Sequence, residues 1–345
     1  MNVGLGLPIN DPAQLLTWAR RADAGPFSAL GLLDRLVYDN PEPLVTLAVL
    51  AGATSRVRLQ TEVLIAPLHN TAILAKQAAT LDRLSGGRFT LGIGTAGRED
   101  DYLAAGVDVH RRGRRLDEQL ALLRRAWSGE PCGVGDGAGP VGSAPFRPGG
   151  EGVDLAGPVP VRSGGDGVGP VGSAPVRPGG DGVDPAGPVL VRLEGHGVGS
   201  IGPAPARLGG PEVLFGGFVP AVFERVARWG DGFLGAGLGP RWMDTAFRDV
   251  ERRWELAGRA GRPRLVAQVN VALGPETVLA EARKEMGDYY AFTGRPEHML
   301  AGLLTTPAAV RDAVTAFTGI GADEVMLYCW ASDPDQIDRL ADAVA

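Results

Sequence analysis

LDRLSGGRFTLGIGTAG, residues 81–97, reads as the end of a helix, a tight stop, a strand and a glycine-bearing loop. Leu81 and Leu84 lie three apart on one helical face, and Gly86-Gly87 supply the left-handed backbone that stops a helix. Phe89, Leu91 and Ile93 then alternate with Thr90, Gly92 and Gly94, the period-two pattern of a strand. One face of this strand is bulky and the other nearly bare. In a barrel the bulky row packs under outer helices, and the bare row is expected to leave room inside for a flat ligand.

Working outward, residues 1–129 read as four strand-then-helix units. Strands are expected at residues 3–7, 29–33, 59–66 and 89–94, with helices at 12–24, 41–54, 71–84 and 114–128. Asp11-Pro12 and Asn40-Pro41 each pair a capping side chain with a proline suited to the first helical turn. Such alternation argues for a parallel sheet with helical crossovers. From residue 211 the alternation resumes: strands at 213–215, 232–235, 265–272 and 324–329, helices at 220–229, 241–257, 275–290, 307–318 and 334–344. Four units before the break and four after it predict an eight-stranded parallel (β/α) TIM barrel.

The break is a long Gly/Pro-rich repeat insertion. Residues 139–168 match residues 169–198 at 23 of 30 positions, and a partial third copy, GSIGPAPARLGG, fills residues 199–210. The copies hold scattered Val and Leu and, beyond Phe146, no aromatic ring, too little apolar area to offset the entropy of ordering. The organisation expected is therefore a first half-barrel at 1–130, a disordered insertion at 131–210 that arose by tandem duplication of a loop, and a second half-barrel at 211–345.

A chain of 345 residues with net charge −6 presents no basic face for nucleic acid or anionic lipid. The most apolar run, residues 44–53, is too short to span a bilayer. A strand pattern begins at once, with no basic region or signal core, so no leader is expected. Cys132 and Cys329 lack metal-ligand spacing and read as free thiols. These features point to a cytoplasmic protein.

The segment AKQAATLDRLSGGRFTLGIGTAG (residues 75–97) resembles the central segment of the luciferase-like flavin-dependent oxidoreductases. That family includes bacterial luciferase, alkane and alkanesulfonate monooxygenases, and dehydrogenases that use the deazaflavin coenzyme F-420. The resemblance extends to LGLP at 5–8, RRGRRLDEQLALLRRAW at 111–127 and LFGGFVPAVFERVARWGDGFL at 214–234. It implies the same barrel and either FMN, as reduced flavin, or coenzyme F-420.

Gly216 and Gly217 stand between a strand and the N-terminus of a helix, where bare amides and the positive end of the helix dipole favour an anion. The resemblance makes this the phosphate loop. It also implies an apolar bulge at Ile65 and Ala66, often with a non-proline cis peptide, that supports the ring system, with Gly94, Thr95 and Ala96 flanking it. Many relatives carry an Asp-His pair where this chain has Asp34-Arg35. A guanidinium cannot serve as a base near neutral pH. Arg35 is read either as a holder of an anionic substrate or deazaflavin tail, or as one half of a salt bridge with Asp34.

His69, just after the bulge, and His110, in the loop before the fourth helix, are the available proton donors. His196 and His298 read as solvated or surface groups, and no two histidines have metal spacing. Glu62 is a weaker candidate, read chiefly as a carboxylate paired with a neighbouring arginine. Trp229, Trp242 and Trp254 read as helix residues packed on the barrel, and Asp231 as a turn and cap residue. Leu7, Ile65 and Ala66 are expected to line an apolar mouth.

The leading expectation is a monooxygenase using reduced flavin and oxygen on a small organic substrate, fed by a separate flavin reductase and paired as a homodimer. Alternatives are a coenzyme F-420-dependent dehydrogenase or reductase, and a barrel that binds flavin without turnover. A phosphate-recognising lyase or aldolase ranks last, since the two lysines, Lys76 and Lys284, both fall on helices.

Overall fold

The computed structural model describes residues 1–9, 11–131 and 200–345. The readings of residues 132–199, including the disorder of the repeats, the Cys132 thiol and the place of His196, lie outside the described residues.

The first half runs β1 (Asn2–Gly6), α1 (Leu15–Ala24), β2 (Ala29–Leu32), α2 (Pro43–Ala53), β3 (Arg58–Thr61), β4 (Leu64–Ile65), α3 (Thr71–Leu84), β5 (Phe89–Gly94), α4 (Glu99–Ala104) and α5 (Arg112–Trp127). The second runs β6 (Glu212–Gly216), α6 (Pro220–Trp229), β7 (Gly232–Leu234), α7 (Pro240–Leu256), β8 (Arg264–Val271), α8 (Glu276–Tyr290), α9 (Pro296–Leu300), β9 (Leu303–Leu304), α10 (Pro307–Gly319), β10 (Glu324–Cys329) and α11 (Gln336–Val344). Strands β1, β2, β3, β5, β6, β7, β8 and β10 pair in that order, all parallel, and β10 pairs with both β8 and β1. The eight-stranded TIM barrel read from the sequence is the fold. The short β4 extends the wall beside β5, and β9 lies against the end of β8.

Helix starts follow the local chemistry. Asp11, Asn70 and Thr306 accept amides of the first turns that follow them, each such cap contributing about 1 kcal/mol. The start expected at Asn40-Pro41 falls two residues later: Glu42 accepts the Val45 amide and Pro43 opens α2, because the longer carboxylate reaches that amide while Asn40 bonds the Pro41 carbonyl.

The bulky row of β5 behaves as its pattern predicts: Phe89, Leu91 and Ile93 join the large apolar layer between strands and helices. The barrel interior is stacked in layers. At the N-terminal end Arg58 and Arg264 pair with Glu212, and Arg264 also pairs with Glu324. Above them Ala29, Leu214, Leu234, Val266 and Met326 form a small apolar plug. Residues 200–210, assigned to the insertion by composition, are held against the barrel instead. Asp82, wholly buried at the end of α3, accepts the amides of Ala206 and Arg207, and Gly210 adopts φ 111° with its α-carbon against the Trp127 ring.

Candidate functional site

The register of β5 on β6 sets Ile93 opposite Phe215, so Gly94 and Gly216 lie side by side at the C-terminal rim. Both glycines open toward the same rim. The space in front of them, expected to be free for a flat ligand, is occupied by Val63. A Cβ added at Gly94 would lie 2.8 Å from one Val63 methyl, and one at Gly216 would lie 2.6 Å from the other. Val63 also caps the apolar plug and stays partly exposed. The bare row therefore makes room for a side chain from the link between β3 and β4, which becomes the floor of the mouth. The cis peptide implied for the bulge at Ile65 and Ala66 is found slightly earlier, at Glu62–Val63.

Around this floor the rim is built strand by strand. After β2, Asp34 accepts the Ile65 amide at 2.8 Å, and its Oδ2 lies 3.8 Å from His69 Nε2. Asp34 and Arg35 form no pair. Arg35, 8% exposed, donates from Nε to Asp101 Oδ2 at 2.8 Å, while Asp101 Oδ1 accepts the amides of Leu36 and Val37. Asp101 thus locks the β2 loop to α4; Arg35 is held in that lock through Nε, while its buried Nη2, 3.6 Å from Asp100 Oδ1, takes no hydrogen bond among the described residues. Ala96, after β5, is the one residue other than glycine with positive φ among those described, at 47°. Thr95 beside it accepts the Tyr102 hydroxyl through its carbonyl.

An aromatic wall closes the far side. Tyr289 lies 5.4 Å from Tyr38, 4.9 Å from Tyr290 and 5.3 Å from Trp330 between ring centroids, and the Trp330 indole donates to Asn270 Oδ1 at 2.9 Å. Phe292 stands half-exposed at its edge, under the guanidinium groups of Arg35 at 5.8 Å and Arg98 at 4.8 Å.

Beneath the wall, Gly6 and Gly31 are register partners on β1 and β2. Their missing side chains make room for two buried polar groups: the Tyr328 ring in front of Gly6 and the Glu62 carboxyl in front of Gly31. Glu62 has no arginine partner. It takes one hydrogen bond, from Gln60 Nε2 at 2.7 Å, and its Oε2 has none. Burial pushes this carboxyl up to about 8, against the pull of the Gln60 bond.

Gly216 and Gly217 lead into α6 as expected. Gly217 takes φ 142° and packs against Val222, and no side chain caps the helix; Pro220 opens it without an amide proton and the Val222 amide donates to the Val219 carbonyl at 2.9 Å, so what the helix start offers an anion is chiefly the positive end of its dipole. Phe218 and Val219 beside them are more than half exposed. No acidic side chain follows until Glu224, so this loop suits a phosphate group.

The structure thus gathers Asp34, Ile65, His69, Gly94, Thr95, Ala96, Gly216 and Gly217 around one rim. Others stand elsewhere. Leu7 and Ala66 are wholly buried in the layer under the helices, because their positions alternate outward, so they do not line the mouth. The His110 side chain is exposed on the turn between α4 and α5, where only its amide is bonded, to Asp108. Trp254 and Trp229 pack on the barrel, but Trp242 is 38% exposed and meets Phe218 edge-on at 5.5 Å. Sequence reasoning missed Val63, Asp101 and Tyr328. The one available signal was the spacing of Gln60 and Glu62, two polar residues on the inner face of a strand.

The resemblance read from residues 75–97 is borne out. The model of the luciferase-like monooxygenase family matches residues 2–169. An uncharacterised protein of Mycobacterium bovis is 39% identical over 89 residues, 26% of this chain and 32% of that protein. The oxygenase component of a flavin-dependent trigonelline monooxygenase from Acinetobacter baylyi is 34% identical over 92 residues, 26% of each chain. The matches thus span about a third or less of these curated relatives. Among solved structures, an F-420-dependent secondary alcohol dehydrogenase in complex with an F-420–acetone adduct superposes with a TM-score of 0.70 over 100% of both chains, at 14% identity. Among the described residues, no helix is long and apolar enough to cross a membrane.

Proposed function

We propose that this luciferase-like barrel is a flavin-dependent oxidoreductase, acting as a monooxygenase on a small organic substrate with reduced FMN, or as a dehydrogenase with coenzyme F-420. The observation that carries the reading is the pairing of an apolar floor with an anion loop on one rim. Val63 rests on Gly94 and Gly216, and the next residue, Gly217, opens the uncapped N-terminus of α6. Val63 and the glycines beside it would hold a tricyclic ring, and the loop at Gly217 would hold its phosphoryl tail.

The residues present fit such a group. The floor is apolar and partly exposed, and the loop sets two glycines before a helix start that no side chain caps, with no acidic group near it. The bound cofactor supplies the electrons, to oxygen or as a hydride. The chain supplies placement. Thr95 and Ala96 border the ring, Asp34 fixes the Ile65 edge of the wall, and the aromatic wall excludes water from one side. His69, within 3.8 Å of Asp34, is the group placed to move a proton at its Nε2. Arg35 acts through Asp101 by holding the β2 loop in place. His110 has no part in this reading.

A relative named as an oxygenase component supports a separate flavin reductase as partner. Cytoplasmic location and a homodimer complete the proposal. Difference absorbance on titrating the purified protein with FMN and with F-420 tests it: saturable binding of one supports the reading and selects the chemistry, whereas binding of neither refutes it. Air oxidation of the reduced complex with candidate substrates then separates a monooxygenase from a silent binder.

A further inference from the structure

Glu62 differs from the other carboxylates of the rim. Asp34 is held by the Ile65 amide and Asp101 by Arg35, but Glu62 keeps an unbonded, buried Oε2. The groups that face it come from four strands. Gln60 donates from its own strand, Gly31 of β2 leaves it space, Tyr328 and Glu324 approach from β10, and Arg264 acts from β8. Arg264, the arginine that acts on Glu62, is already paired with Glu324 and Glu212, and among the described residues no arginine or lysine forms an ion pair with Glu62. A carboxyl in such a place stays protonated, because an unpaired charge has neither water nor a counterion there.

Its chain neighbour is Val63, whose side chain is wedged between Gly94 and Gly216. The two residues leave the strand on opposite errands: Glu62 is tucked down over Gly31, and Val63 forms the floor above the apolar plug. We propose that Glu62 is a positioning residue of this site: its neutral carboxyl, by filling the space over Gly31, holds the segment that seats Val63, and an ionised Glu62, with no partner in that space, leaves it and withdraws the floor. The inference rests on the reading of Val63 as the floor under the ring.

The test uses the full-length protein, titrated with FMN and with F-420 between about pH 6.5 and about pH 9, as wild type and as Glu62→Gln. A floor that needs the neutral acid predicts that wild-type affinity falls by up to about tenfold per pH unit above the titration point. Glu62→Gln, neutral at every pH, binds with little pH dependence. Infrared spectra of the ligand-free wild type supply a readout that needs no cofactor: a protonated-carboxyl C=O band, present near neutral pH, that fades over the same range and is missing from Glu62→Gln. Wild-type binding that does not change with pH, or an identical pH dependence in Glu62→Gln, overturns the inference while leaving the flavin reading intact. An infrared titration showing Glu62 ionised near neutral pH overturns it also, and stands even where Glu62→Gln fails to fold. Failure of both cofactors to bind the wild type at any pH overturns the flavin reading and this inference with it.

Discussion

Val63 occupies the volume that a side chain at Gly94 would need: a Cβ at Gly94 would sit 2.8 Å from its nearer methyl and 3.1 Å from the Gly216 carbonyl oxygen. The strand glycine is therefore a receptacle for the link between β3 and β4, and the floor of the mouth is as rigid as that fit. Gly94→Ala is expected to dislodge Val63 and to cost about 1–3 kcal/mol of stability through overpacking. Cofactor affinity should fall at least about tenfold, the equivalent of about 1.4 kcal/mol. Gly97→Ala, with nothing within 4 Å of its added Cβ, is the control and should leave both unchanged. Denaturant unfolding and absorbance titration read the two effects.

The anion loop can be separated from the floor. Gly217→Ala forces a side chain onto φ 142°, where an added Cβ also meets Val222 at 2.8 Å. Its effect should fall on the phosphoryl tail. FMN binding weakens by about tenfold or more, since the loop that leads into α6 is displaced, while riboflavin, which lacks the phosphate, binds the variant and the wild type alike. Equal loss for both ligands would show that the loop does not read phosphate.

Arg35 and Asp101 form a buried pair, their side chains 5% and 0% exposed. Removing one partner strands the other. Asp101→Ala should destabilise by about 3–5 kcal/mol and free the loop after β2, seen as faster amide exchange at Leu36 and Val37, whose amides Asp101 accepts. Replacing both residues with apolar side chains of similar size should recover most of the stability.

Glu62 gives stability a pH slope of defined sign. Its carboxyl lies at about 8 in the folded barrel against an ordinary value of 4.5, so the folded chain binds the extra proton between those limits. Stability is then free of the penalty below about pH 4.5, falls by up to about 1.4 kcal/mol per pH unit as pH rises toward 8, and levels off above it. Glu62→Gln removes this slope and should be more stable than the wild type at pH 8, with the gain shrinking toward pH 5. Thermal melts across that range measure it; a gain that grows on acidification would contradict the assignment.

The barrel was legible because its signals are local. Period-two apolar runs, proline-started helices and Gly86-Gly87 each act within a few residues, and eight such units leave one natural closure. Boundaries failed where a longer side chain outcompeted a shorter one, as Glu42 did Asn40. Residues 200–210 have low apolar content, yet Asp82 and Trp127, far off in the sequence, hold residues 206, 207 and 210, a contact that composition does not contain. The strand–glycine–helix turn at Gly216 and Gly217, proposed as a phosphate loop, was legible for the same local reasons as the barrel. The floor was not. That Gly94 receives Val63, or that Gly6 and Gly31 make a berth for Tyr328 and Glu62, depends on register between strands, which no single strand's pattern contains. The Arg35 partner was missed likewise, since Asp101 lies on a short helix in another loop.

The account turns on one placement, and a crystal structure of the protein grown with FMN, or with F-420 should that be the cofactor it binds, tests it most directly. The ring is expected to lie on the Val63 side chain, bordered by Thr95 and Ala96, with the phosphoryl oxygens on the amides of Gly217 and the first turn of α6. A ring bound away from Val63, or a phosphate held elsewhere than this loop, would contradict it.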